Sequence, residues 1–165
     1  MKPVIAVCGS DRDDENLSDY AIHVAERVGF LIAKHGGVLI CGGRGGVMEA
    51  ACRGAKNGEG LTVGILPYSK EEANSFVDIV IPTNLGNIRN YLVVGAADSV
   101  IAISGRWGTL NEITYGVITK KRVILVQGTG GCVDQIISSG LLKGTQPGYH
   151  IVRSAEEAVD KAFSL

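Results

Sequence analysis

Apolar residues along this chain fall into short solid runs, separated by longer stretches in which they recur every three or four positions. The first run, residues 4–8, ends at Gly9-Ser10, and others follow at 38–41, 61–66, 78–81, 99–103, 122–126 and about 150–152. They are short, rich in Val, Ile and Leu, and show no polar alternation, so each predicts a strand buried on both faces. Within 17–35, Ala21, Val24, Ala25, Val28, Leu31 and Ile32 keep helical spacing, and Gly36-Gly37 closes that helix. Helices are also predicted over 47–56, 88–97, 109–119, about 132–138 and 154–163. Ser154 and Glu157 match a capping box at the start of the last one. Pro67 and Pro82 stop two of the strands, and the polar stretches 11–16 and 67–77 read as loops.

Strand and helix alternate from end to end. The pattern predicts an α/β, Rossmann-like, doubly wound and mostly parallel sheet of about six to seven strands with helices on both faces. There is no internal repeat and no linker long enough to divide the chain. Residues 1–165 are therefore expected to form a single nucleotide- or phosphate-binding domain, a length that suits one core.

Composition narrows the function. A formal net charge of −1 leaves no basic excess to track a nucleic-acid backbone or a membrane surface. Aromatic residues make up 5%, too few for a stacking platform on single strands. No apolar run reaches the ~18–20 residues of a membrane span. The start of the chain reads as a strand rather than a signal peptide. Cys8, Cys41, Cys52 and Cys132 lack metal-site spacing and read as reduced thiols of a cytoplasmic protein. The 23 glycines follow no period, so they point to strand–helix turns.

In a sheet of this kind ligands bind at the carboxyl ends of the strands. Three loops there are candidates. Gly9-Ser10 offers a sharp turn and a hydroxyl, or is a plain turn. Gly42-Gly43-Arg44-Gly45-Gly46-Val47-Met48 runs into a helix whose first amides and dipole favour an anion. It matches neither the dinucleotide fingerprint nor a Walker loop, and Met48 taken alone reads as core. Residues 104–112 run from strand to helix again. Here Gly105, Arg106, Gly108 and Thr109 could face a ligand, or Thr109 and Glu112 could simply cap their own helix.

Arg89 opens the helix predicted over 88–97, where the dipole disfavours a cation. A guanidinium fork suits phosphate or carboxylate. If the strands at 78–81 and 99–103 are neighbours, Arg89 and Glu112 converge. The pair is then either catalytic, by acid–base or electrostatic action, or a structural ion pair.

Together these loops resemble the lysine-decarboxylase-like superfamily, which includes the LONELY GUY-type phosphoribohydrolases and the molybdenum cofactor carrier proteins. The resemblance covers about residues 4–127. Residues 6–10 are similar to the family's first strand and loop, residues 41–48 to its G-G-x-x-G-[LV]-M turn, and 104–112 to its P-G-G-x-G-T-x-x-E motif. It implies a Rossmann-like fold and a homo-oligomer, dimer or tetramer. It also implies catalytic roles for Arg89 and Glu112 in the hydrolase branch, and a phosphate held by the glycine-rich turn and Thr109. Ser104 and Arg106 replace the motif's proline and second glycine, and Asn90 stands where the cytokinin-activating enzymes have lysine. Arg89-Asn90 and the compact length resemble the carrier-type branch.

The expected partner is therefore a small phosphorylated ligand, a nucleoside monophosphate or a molybdenum cofactor, with no nucleic acid, no membrane and no other cofactor required. Carriage of that ligand is the first reading. Hydrolysis of the N-glycosidic bond of nucleoside 5′-monophosphates is the second. A vestigial pocket filled by Arg106 is the third.

Overall fold

The computed structural model of the protein describes residues 1–144 and 149–164. Seven strands form one sheet: β1 (Val4–Gly9), β2 (Val38–Cys41), β3 (Leu61–Leu66), β4 (Ile79–Pro82), β5 (Ser99–Ile103), β6 (Arg122–Val126) and β7 (His150–Val152). Their order is β4-β3-β2-β1-β5-β6-β7, and every pair is parallel. Five α-helices lie in the connections and a sixth follows β7: α1 (Asp19–Lys34), α2 (Val47–Asn57), α3 (Asn90–Gly95), α4 (Trp107–Ile118), α5 (Gly131–Ser139) and α6 (Ala155–Phe163). This is the doubly wound architecture that the pattern predicts.

Successive strand residues point to opposite faces. Ile5 and Val7 enter a core under α1, α2 and α6, whereas Ala6 and Cys8 enter a second core under α3, α4 and α5. Both sets are buried, which is why the strands read as solid runs. Each fully buried Ile or Leu stabilises the fold by ~1.5–3 kcal/mol relative to exposure. The two cores therefore outweigh any one polar contact.

The chain winds outward from β1 to β4, then crosses back to place β5 on the other side of β1. Gly9 pairs with Ile103, so the loops after β1 and β5 leave the sheet side by side. That is the topological switch, where ligands bind in open sheets.

Four local expectations change. The strands at 78–81 and 99–103 are not neighbours, because β3, β2 and β1 lie between them. The helix predicted over 88–97 is a 3₁₀ turn, Gly86–Arg89, followed by the short α3. The loop 67–77 contains a 3₁₀ turn, Lys70–Glu72, closed by a capping box from Ser69. At α6, Ser154 caps the Glu157 amide, but the Glu157 carboxylate accepts from the Arg153 amide rather than from Ser154.

Candidate functional site

The loop after β1 is built around Ser10, which is 2% exposed. Its hydroxyl donates to Asp14 Oδ2 at 2.6 Å and accepts from the Gly105 amide at 2.8 Å. With that proton committed to Asp14, the 3.1 Å contact with Ser104 Oγ has Ser104 as donor. Ser104 N in turn donates to Thr129 Oγ1 at 2.8 Å, and Thr129 Oγ1 to Val126 O at 2.7 Å. One chain of hydrogen bonds thus ties together the loops after β1, β5 and β6. Ser10 is engaged inside the protein, and a side chain at Gly9 would collide with Ile103 O and Val47.

The glycine-rich turn after β2 meets a carboxylate of the protein's own. Asp11 Oδ1 accepts from Gly45 N at 3.1 Å and from Arg12 N at 2.7 Å, while its Oδ2 lies 3.2 Å from Arg44 Nε. Val47 N, at the start of α2, donates to Ser10 O at 2.9 Å. Gly46 adopts φ +62°, and a β-carbon there would strike the Ser10 carbonyl, so this crossing needs glycine. Gly43 has φ +74°, and its carbonyl accepts from Asn74 N. Val47 and Met48 are buried core residues. The second glycine-rich turn, 128–131, is closed in the same way: Asp134 accepts from Gly128 N and Gly130 N, each at 2.8 Å. Internal carboxylates therefore hold amides of both turns.

Arg89 is a buried cation without so close a match. The 3₁₀ turn carries it over the carboxyl ends of the central strands, where it is 7% exposed. Its Nη1 lies 3.8 Å from Glu112 Oε1, beyond hydrogen-bonding distance. Its Nε is buried with no hydrogen-bond partner among the described residues. Gly42 lies against the guanidinium, and a β-carbon there would overlap Nη1, Nη2 and Cζ. Asn90, 4% exposed, donates from Nδ2 to Asn111 Oδ1 at 3.2 Å and to Gly108 O at 3.4 Å, which joins α3 to the first turn of α4.

Glu112 faces this guanidinium from α4. Burial pushes its carboxyl up to about 7, against the opposing pull of Arg89 and of a hydrogen bond with Cys8. Thr109 and Glu112 do not form a capping box. Arg106 is the N-cap of α4 without a side-chain cap, and Glu112 points inward to Arg89. Cys8 and Cys132 line the same region; burial raises both thiols, Cys132 to about 12. Cys41 Sγ lies 3.6 Å from Cys52 Sγ and accepts from Gly43 N at 3.3 Å. Those bonds hold its thiol below the ordinary range, and the Cys52 thiol is raised.

Beside this cluster, across Gly105 and Cys132, an open cleft of about 610 Å³ separates the loop after β1 from the starts of α4 and α5. Asp13, Glu15, Arg106, Trp107 and Gln135 are on its walls. Arg106 is exposed on the wall of this open cleft. Trp107 is 82% exposed, and Tyr115 is half-buried in edge-to-face contact with Tyr91 at 4.5 Å.

Known proteins resemble this arrangement. An uncharacterized protein of Archaeoglobus fulgidus is 45% identical over 119 residues, 72% of this chain and 76% of that protein. The molybdenum cofactor binding protein of Rippkaea orientalis superposes with a TM-score of 0.85 at 38% identity, over 97% of this chain and 94% of that one. The molybdenum cofactor carrier protein of Chlamydomonas reinhardtii gives a TM-score of 0.81 at 32% identity, over 96% and 95%. The model of the SLOG cluster4 family matches residues 2–159. The chain belongs to that family.

SLOG cluster4 membership and these neighbours agree with the resemblance read from the motifs, on its carrier-type side. The departures in this SLOG chain now have a geometry. Ser104 stands at φ +57°, which a proline ring cannot adopt, so the turn after β5 is not the prolyl turn of the superfamily motif. The sequence singles out Arg89, Asn90, Gly42, Gly108 and Glu112, and the fold brings them together. It sets Gly9, Ser10, Gly45, Gly46 and Gly105 into the frame that holds them. Asp11, Asp14 and Thr129, which organise that frame, are not readable as such from sequence. Only a run of acids directly after Gly9-Ser10 signals the first two.

Proposed function

We propose that this chain binds a small phosphorylated, nucleotide-like ligand at Arg89 and carries it without turnover. The molybdenum cofactor is the foremost candidate. The observation that carries the reading is Arg89: a buried guanidinium with an unpartnered Nε, a loose ion pair and a bare glycine face at Gly42. A buried, under-satisfied cation is costly unless something completes its hydrogen bonds. A phosphate oxygen pair fits a guanidinium fork, so the residues present suit the phosphate of such a ligand. Asn90 follows Arg89 directly and its side-chain amide reaches Gly108 O, so Asn90, Gly108 and Thr109 would border the phosphate. The similarity to a cofactor binding protein and a cofactor carrier protein supports the choice of ligand.

A second reading has its own observation. A carboxyl group near 7 facing an arginine suits a general acid, so Glu112 would serve hydrolysis of a nucleoside 5′-monophosphate, with Arg89 stabilising developing charge. Homo-oligomer formation belongs to either reading. Ile88, Tyr91, Leu92 and Ile118 expose an apolar face on the Arg89 turn, α3 and α4, which a second copy would cover.

The test is equilibrium binding of phosphorylated pterins and nucleoside 5′-monophosphates to wild-type and Arg89→Gln protein, with chromatography for free base. Carriage predicts saturable binding lost in the variant and no base released. Release of base that is lost in Glu112→Gln replaces carriage with hydrolysis. Absence of binding to every one of these ligands defeats both.

A further inference from the structure

We infer that anion binding at Arg89 is coupled to proton uptake by Glu112: the ligand takes over the guanidinium, and the carboxylate left without its counter-charge is protonated from solvent. The inference rests on the anion site proposed above and concerns how that site is regulated. The two side chains face each other at 3.8 Å, both more than nine-tenths buried, without a hydrogen bond between them. Arg89 Nε is buried and has no hydrogen-bond partner among the described residues. An incoming dianion would satisfy the fork and set a like charge beside Glu112.

Among the described residues no other cation is placed to relieve that charge. The groups felt at Glu112 are Arg89 from the 3₁₀ turn, Cys8 at the end of β1, Cys41 at the end of β2 and Cys132 from α5. Three of the four are thiols, which are neutral or negative and never positive. Burial already works against the ionised form of Glu112. The balance is one carboxylate, one proton and one anion going to one carboxylic acid and a bound anion, with the proton supplied by buffer.

Sulfate is the probe, because it stays a dianion throughout neutral pH and contributes no protons of its own. Calorimetric titration in buffers of different ionisation enthalpy, at constant ionic strength, reads the protons taken up. For a group near 7, uptake should be roughly half a proton at about pH 7 and close to one at about pH 8.5, with sulfate affinity falling about tenfold between about pH 6 and 8. Glu112→Gln should bind sulfate with neither effect, and Arg89→Gln should lose binding. Wild-type binding with no proton uptake and no pH dependence overturns the coupling and leaves the anion site standing. Undiminished sulfate affinity in Arg89→Gln, or no sulfate binding by any form, overturns the coupling as well. The nucleotide and pterin titrations judge the anion site separately.

Discussion

Arg89 and Glu112 meet at 3.8 Å although their parent segments follow strands on opposite sides of β1. A buried pair at that separation gains little from direct hydrogen bonding and still bears its desolvation cost. The pair is therefore a poor stabiliser of the fold.

That cost makes stability depend on pH with a definite sign. The folded carboxyl of Glu112 is raised to about 7 from 4.5, so the folded state holds a proton that the unfolded state releases. Its contribution is fully present below about 4.5, is lost as pH rises through about 7, and stays lost above it. Glu112→Gln should raise stability at about pH 8 by up to ~3 kcal/mol and make little difference near pH 4, since each pKa unit corresponds to about 1.4 kcal/mol. Thermal unfolding of both proteins across this range measures it, and a variant equally destabilised at both ends would refute it.

Gly42→Ala probes the cradle of Arg89. Its methyl group would overlap the guanidinium, the far end of a long side chain that must then move. Phosphate-ligand affinity should fall at least about tenfold while the fold loses only ~1–3 kcal/mol, the usual range for overpacking. Titration calorimetry alongside urea denaturation separates the two effects.

Ser10→Ala removes the hub between three loops. It leaves the Asp14 carboxylate and the Gly105 amide without a shared partner. The expected loss is ~1–3 kcal/mol in chemical denaturation. Hydrogen exchange should quicken at Gly105 and Ser104, and unchanged protection there would show that the hydroxyl is dispensable.

Leu92→Glu and Ile118→Glu place charges on the exposed apolar face of α3 and α4. If a second copy covers it, light scattering on the wild type gives a dimer or tetramer and on the variants a monomer with unchanged circular dichroism. A monomeric wild type ends that proposal.

The strands were legible because burial on both faces removes polar positions from the runs, as at Ile5, Ala6, Val7 and Cys8. Helix α1 was legible because Ala21, Val24, Ala25, Val28 and Ile32 repeat at helical spacing on its buried face and Gly36 ends it at φ +76°. The segment before α3 was not, since Gly86 at φ +55° opens a 3₁₀ turn that leaves Ile88 exposed. Arg89 and Glu112 were readable as residue types at their motif positions. Their route to each other was not, because it depends on a strand order that periodicity does not encode. Asp11 was hidden for a similar reason: it reaches Gly45, 34 positions away, and only the folded turn makes them neighbours.

The strand order also sets a timetable for synthesis. Strands β1 to β4 can pair as soon as residue 82 is made, but β1 then presents one bare edge along Val4–Gly9. That edge is covered only when Ser99–Ile103 arrives, and Glu112 follows a few residues later in α4. A chain interrupted between these points carries Arg89 without its carboxylate and an apolar strand edge open to other chains. Completion of the Arg89–Glu112 pair and protection from aggregation are, in this topology, the same late event.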